Sequence, residues 1–202
     1  MAKAVTRLID VSDGTIILDG EDITHTAGKE RRKIYKKIQM VFQSPEGSFD
    51  PRRTLGDGIG ESLRNSGMSR NETKKRVGEL LVQCGLPESY WGRYPHEVSG
   101  GQCQRAAIAR ALAISPELLI CDEATSSLDV TVQKQIMKLL KSLGIRYGMS
   151  YLFISHDLGL VQDFCDRVII MHEGKIVEEG ITDEVILNPQ NEYTKRLVEA
   201  VL

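Results

Sequence analysis

The sequence predicts an α/β protein whose strands are short, apolar and separated by helices. Three observations carry this reading. Leu118 to Cys121 (LLIC) is an uninterrupted apolar run, as in a central parallel strand covered on both faces. Ile38 to Phe42 (IQMVF) and Ser150 to Ser155 (SYLFIS) read as two more buried strands. The intervening stretches carry helical periodicity, with Val77, Leu80, Leu81 and Cys84 on one face before Gly85-Leu86-Pro87 stops the turn.

Taken in order, Met1 to Ile9 reads as a short helix with no cap and no strand before it. Gly14 to Asp22 (GTIILDGED) reads as a hairpin about Asp19-Gly20. Lys29 to Lys37 is basic; with a net charge of −2 for the chain, a solvated helix face is preferred to a nucleic-acid patch. Gln43 ends the IQMVF run, and Pro45, Gly47 and Pro51 mark a loop after it. Residues 54–97 are helical in pattern, with Leu55, Ile59 and Leu63 in register; Trp91 and Tyr94 are either interface anchors or packing beneath this segment. Ser99 with Gln102 has capping-box spacing, and Gly100-Gly101 leave amides bare at the positive end of the following helix, a ready anion site. Asp122 and Glu123 close the LLIC strand, either as a solvated turn or as a pair suited to magnesium binding and base catalysis.

Val130 to Tyr147 reads as a long helix with Val132, Ile136, Leu139, Leu140 and Leu143 on one side. The SYLFIS strand runs into His156. Val168–Met171 and Lys175–Glu179 form a hairpin about Glu173-Gly174, and Ile181 to Leu202 is helical with a break at Pro189. Candidate strands thus end in Gln43, Asp122-Glu123 and His156, polar residues that converge on one sheet edge. His25, His96 and His172 are read as structural.

At 202 residues, 41% hydrophobic and 27% charged, the chain has enough apolar content for a core without staples. No run approaches the ~18 apolar residues of a membrane span, and no signal peptide is visible. Cys84, Cys103, Cys121 and Cys165 show no C-x-x-C spacing and read as buried reduced thiols.

Val98 to Asp129 (VSGGQCQRAAIARALAISPELLICDEATSSLD), followed by FISHD at 153–157, resembles the ATP-binding subunit of ABC transporters in order, spacing and identity. MVFQSPEGSFDPRRT at 40–54 and the ending GKIVEEG…NPQNEYTKRL resemble the oligopeptide, dipeptide and nickel importer branch. The resemblance implies a P-loop-NTPase-like ABC ATPase core with a helical subdomain. It divides the chain into 1–53 (partial core with the glutamine loop), 54–97 (helical subdomain) and 98–202 (signature helix and remaining core). It implies ATP and Mg2+ as cofactors, Glu123 polarising the attacking water, Asp122 and Gln43 holding magnesium, and His156 contacting the γ-phosphate. Ser99, Gly100, Gly101 and Gln102 then complete the nucleotide site of the opposite subunit, with Asp129 at that interface. The implied partners are transmembrane permease subunits and a second ATP-binding subunit, identical or not, and no nucleic acid. The implied location is the cytoplasmic face of a bacterial or archaeal plasma membrane. Two departures are visible: Cys103 stands where Arg or Gln is usual, and Ala124-Thr125 where Pro-Val is frequent.

One element of the family is not found. The phosphate loop G-x-x-x-x-G-K-[ST] does not occur in the 202 residues; Gly28-Lys29 is followed by Glu30 and preceded at the first glycine position by Ile23. Laid on the family, Met1 falls just after that loop, so the N-terminal strands and the loop are expected to be missing by truncation, or the chain to be a natural ATP-dead paralogue. Either case predicts weak Mg-ATP binding, and uncovered strand edges that promote oligomers or low solubility. The alternatives are a non-hydrolysing subunit lending only its signature helix to a heterodimeric site, and a soluble ABC ATPase outside transport.

Overall fold

The computed structural model describes residues 2–200. Contacts divide the chain into one unit up to Leu152 and a second from Phe153 onward.

The first unit opens with α1 (Ala2–Val5), followed by the hairpin of β1 (Ile17–Leu18) and β2 (Glu21–Asp22). Its turn residues Asp19 and Gly20 both have positive φ, 50° and 80°, which is what a two-residue turn matched to strand twist requires. The basic helix α2 (Gly28–Lys37) buries only Ile34, in agreement with a solvated face. Lys37 at its end bridges Asp19 at 2.8 Å and Glu117 at 3.5 Å, and the Asp19 carboxyl is held below its usual range by that ammonium.

β3 (Ile38–Val41) pairs in parallel with β4 (Leu118–Asp122), Ile38 opposite Leu118 and Val41 opposite Cys121. β5 (Ser150–Ile154) completes a sheet of order β3-β4-β5. Only the central β4 is the buried strand that the apolar runs predicted: Leu119, Ile120 and Cys121 are wholly buried. The expectation of a buried SYLFIS strand is corrected here, because β5 is exposed at Ser150 and half-buried thereafter. Apolar content alone does not distinguish a strand with two neighbours from one with a single neighbour in the sheet.

Residues 54–97 form α3 (Leu55–Ile59), α4 (Glu61–Asn65) and α5 (Arg70–Gln83), then two short 3-10 turns. Thr54 caps α3, and a Ser69/Glu72 capping box starts α5. Leu55, Ile59, Val77, Leu80 and Leu81 lie wholly inside. Trp91 belongs to this packing: a Cβ on Gly56 would fall 2.3 Å from its Cδ2, so the indole lies flat on the glycine. Tyr94 stays 38% exposed and stacks on His96 at 5.6 Å.

α6 (Gly100–Leu112) and α7 (Val130–Tyr147) enclose β4 in sequence. The predicted bounds of α7 are met to the residue, since Asp129 caps its start and Gly148, at φ 61°, ends it. Cys84, Cys103 and Cys121 are buried, Cys165 partly so, and none forms a disulfide among the described residues. Burial pushes the Cys84 thiol up to about 12 and the Cys103 thiol to about 11, which keeps both protonated and unreactive.

The second unit holds α8 (Leu158–Phe164), the antiparallel ribbon of β6 (Arg167–His172) and β7 (Lys175–Ile181), α9 (Thr182–Leu187) and α10 (Glu192–Glu199). Glu173 and Gly174 turn the ribbon at φ 49° and 77°. Its small core is Leu158, Val161, Val168, Ile170 and Val185. The predicted helical ending is interrupted around Pro189, with α10 starting from an Asn191 cap; its last two predicted residues, Val201 and Leu202, lie outside the described residues. Among the described residues no helix is long and apolar enough to cross a membrane.

Candidate functional site

Parallel pairing decides where the polar residues go. With Val41 opposite Cys121, the chain leaves β3 toward Gln43 and β4 toward Glu123 at the same sheet edge. In parallel α/β sheets this carboxyl edge is where ligands bind. The two loops are tied together there. Gln43 Nε2 donates to Ser126 Oγ at 3.3 Å, and Ser127 Oγ donates to the Gln43 carbonyl at 3.5 Å. Ser126 in turn folds back on Glu123, its amide and hydroxyl both donating to the Glu123 carbonyl at 3.1 and 3.0 Å.

Asp122 and Glu123 are half-buried, while Gln43 is exposed. Glu123 has φ 48°, a left-handed conformation rare for a residue with a side chain and disfavoured by about 1–3 kcal/mol. Buried Ala124 and Thr125 follow it, and the Ser126 bonds clamp its carbonyl, so the surrounding loop holds this conformation in place.

The start of α6 is built as its sequence predicts. Gln102 N donates to Ser99 Oγ at 3.3 Å, and Ser99 N donates to Gln102 Oε1 at 2.9 Å, closing the capping box. The two glycines have an additional use that spacing did not disclose. A Cβ on Gly101 would stand 2.6 Å from Val132 Cγ1, and one on Gly100 would stand 3.7 Å from Leu128. The first turn of α6 thus packs against the first turn of α7. Asp129 caps that turn by accepting from Val132 N at 3.0 Å, and Gln133 Nε2 donates to Thr125 Oγ1 at 3.2 Å. Ser99 to Gln102, Asp129 and the loop after Glu123 are therefore one connected assembly.

A prediction follows from the close approach. Gly101→Ala is expected to destabilise the first unit by about 1–3 kcal/mol through overpacking on the stiff Val132. In a Val132→Ala background the same change is expected to be neutral, or stabilising by up to about 1 kcal/mol, because alanine is the better helix former. Urea unfolding followed by Trp91 fluorescence measures both.

His156 is exposed, two residues beyond β5, in the second unit. It stands before α8, whose cap Asp157 accepts from Leu160 N at 3.0 Å and donates its own amide to Ser155 Oγ.

Asp122 and Gln43 offer hard oxygen donors, and among the described residues no group of three or more His, Cys, Asp or Glu could hold a metal. That set fits magnesium better than zinc or calcium, because magnesium keeps several waters and is completed by substrate phosphates rather than a protein cage.

Sequence reasoning missed Ser126 and Ser127 as the link between the two loops, although two small hydroxyls three and four residues after Glu123 were a usable signal. It also missed Arg110, a cation on the otherwise alanine-rich α6 that reaches the 3-10 turn at Glu46–Ser48 and lines a cleft with Phe49.

Comparison with known proteins gives a consistent answer. The family described as ABC transporter matches residues 1–126. The oligopeptide transport ATP-binding protein OppF of Salmonella typhimurium is 44% identical over 202 residues, covering 99% of this chain and 60% of its own length. The glutathione import ATP-binding protein GsiA of Salmonella paratyphi A is 46% identical over 201 residues, of which it is itself covered over 32% and this chain over 98%. This chain thus spans about 60% of the length of the OppF proteins it resembles. Among solved structures, cbiO1 from Clostridium perfringens, part of the ABC transporter complex cbiONQ, superposes with a TM-score of 0.82 at 29% identity, over 93% of this chain and 73% of that one. A dimeric ATP-binding cassette in a post-hydrolysis state with ADP and Pi gives 0.79 at 30% identity, over 89% and 78%.

Proposed function

The chain belongs to the ABC transporter family, and from this we propose that it is the ATP-binding and ATP-hydrolysing subunit of an importer that takes up peptides or nickel. The observation that carries the reading is the joining of Gln43 to the Asp122-Glu123 loop at the carboxyl edge of β3 and β4. The names of the relatives, oligopeptide and glutathione importers, support the peptide class.

In this reading Glu123, fixed by its clamped loop, accepts a hydrogen bond from the attacking water and takes up its proton. Asp122 and Gln43 hold Mg2+, which when bound neutralises phosphate charge. His156 donates to the γ-phosphate. The bare amides at the start of α6, with Ser99 and Gln102, bind the phosphates of nucleotide held by a second subunit, homologous or identical, and Asp129 lies at that interface. Residues 54–97 act as the helical subdomain facing the permease, between a core part at 1–53 and another at 98–202. The subunit works at the cytoplasmic face of a bacterial or archaeal plasma membrane, docked on transmembrane permease subunits.

The 202 residues contain no phosphate loop of the G-x-x-x-x-G-K-[ST] type. A polypeptide of these residues therefore lacks the amides and lysine that hold the β- and γ-phosphates, and it binds Mg-ATP poorly. Calorimetric titration tests this on the chain and on a chimera in which the phosphate-loop segment of an OppF relative precedes it. The chimera is expected to bind with a Kd near 1 μM, about −8 kcal/mol, and the chain at least about 1,000-fold more weakly. Micromolar binding by the chain itself would refute the missing-cradle reading. A folded chimera that does not bind would refute the ATP-binding reading.

A further inference from the structure

We propose that α2 is a contact for an anionic lipid surface, its stripe of Lys29, Arg32, Lys33 and Lys36 lying on the phosphate headgroups of the membrane that holds the permease. This goes beyond the transporter reading above and rests on it only for the presence of that membrane.

Six of the ten residues of α2 are basic and one is acidic, in a chain whose net charge is −2. Helical spacing sorts them. Lys29, Arg32, Lys33 and Lys36 stand at i, i+3, i+4 and i+7, within about 100° of the helix circumference, and all four are exposed. Ile34, the one residue that α2 buries, lies on the opposite side. The acids that reach α2 leave most of this stripe open. Asp19 and Glu117 bind Lys37 on the flank, at 2.8 and 3.5 Å. Glu30 reaches Lys33 at 3.0 Å, an exposed pair of little strength. Among the described residues, no carboxylate stands within ion-pair range of Lys29, Arg32 or Lys36.

The helix itself does not call for all of these cations. Lys36 and Lys37 in its last turn complement the dipole, but Lys29 and Arg31 stand in the first turn, where positive charge is disfavoured and only Glu30 opposes it. Ala27 adds no side-chain cap. The form of the stripe selects the partner. It runs about 10 Å from Lys29 to Lys36, and Tyr35, the one ring on α2, is half-buried, its hydroxyl donating to the Arg7 carbonyl at 3.5 Å. A single-stranded nucleic acid is held by exposed rings that stack on its bases, in a groove that follows its backbone. A bilayer asks only for cations on a projecting helix face, and the cytoplasmic leaflet supplies the opposite charge.

The test floats this chain through a density gradient with vesicles of phosphatidylcholine, alone or with about 30 mol% phosphatidylglycerol; flotation separates bound chain from any aggregate. Binding to the anionic vesicles only is expected, with release by about 0.5 M salt. Lys29→Gln and Lys36→Gln are each expected to weaken binding about fivefold, and the triple variant with Arg32→Gln about 100-fold. Glutamine keeps the helix propensity of lysine and arginine. A control that loses the same charge from other exposed positions, Lys74→Gln, Lys134→Gln and Lys138→Gln, is expected to bind like wild type. No flotation with anionic vesicles, equal flotation with neutral ones, or an equal loss in the control would overturn the proposal. Tighter retention by polyuridylate than by anionic vesicles would also overturn it and give the stripe to a nucleic acid. None of these outcomes touches the transporter reading, which the Mg-ATP titration of the chimera tests separately.

Discussion

Glu123→Gln, introduced into the phosphate-loop chimera, is expected to lower ATP turnover about 10²–10⁴-fold while leaving Mg-ATP affinity close to that of the parent. The change keeps the side chain's size and its left-handed backbone, so the clamp from Ser126 to the Glu123 carbonyl persists. What is lost is the ability to take a proton from water. Asp122→Asn separates the roles: it should weaken the magnesium dependence of binding as well as turnover, because it removes the charged donor at the end of β4. Single-turnover hydrolysis beside calorimetry resolves the two. Equal turnover in the Glu123→Gln chimera and its parent would remove Glu123 from the mechanism.

Leu112→Ala is expected to destabilise the first unit by about 2–5 kcal/mol, the range for a buried leucine whose cavity cannot collapse. Leu112 is wholly buried on α6, on the helix face that it shares with the buried Gln104, Ile108 and Ala109. For a protein of this size the shift corresponds to roughly 2–4 °C in Tm per kcal/mol. Trp91, the chain's single tryptophan, lies within the first unit and reports its unfolding without interference from the second. A melting curve by Trp91 fluorescence that does not move would show that α6 is not packed as described.

The sequence was most informative where one local rule decided the outcome. The Asp129 cap and Gly148 bounded α7, the Ser99/Gln102 box began α6, and Asp19-Gly20 and Glu173-Gly174 each turned a hairpin. Placing Gln43 and Asp122-Glu123 at strand ends was equally direct, because apolar runs stop abruptly at polar residues. Relations between distant segments were harder to read. Nothing in the spacing of Gly100-Gly101 tells that Val132 lies against them, since that contact joins two helices separated by a strand. The partial exposure of β5 was hidden for a similar reason: position within a sheet depends on which other strands are present, and SYLFI is as apolar as a central strand. Arg110 looked like an ordinary helix arginine until α6 was packed against the loop carrying Phe49.

The proposed coupling of ATP hydrolysis, at the edge of β3 and β4, to a permease is open to direct measurement. The most direct measurement is the ATPase rate of the phosphate-loop chimera, alone and reconstituted with the permease subunits of its transporter. Hydrolysis is expected to rise on assembly and to fall about 10²–10⁴-fold in the assembled complex with Glu123→Gln. Hydrolysis indifferent to the permease, or unaffected by Glu123→Gln, would contradict it.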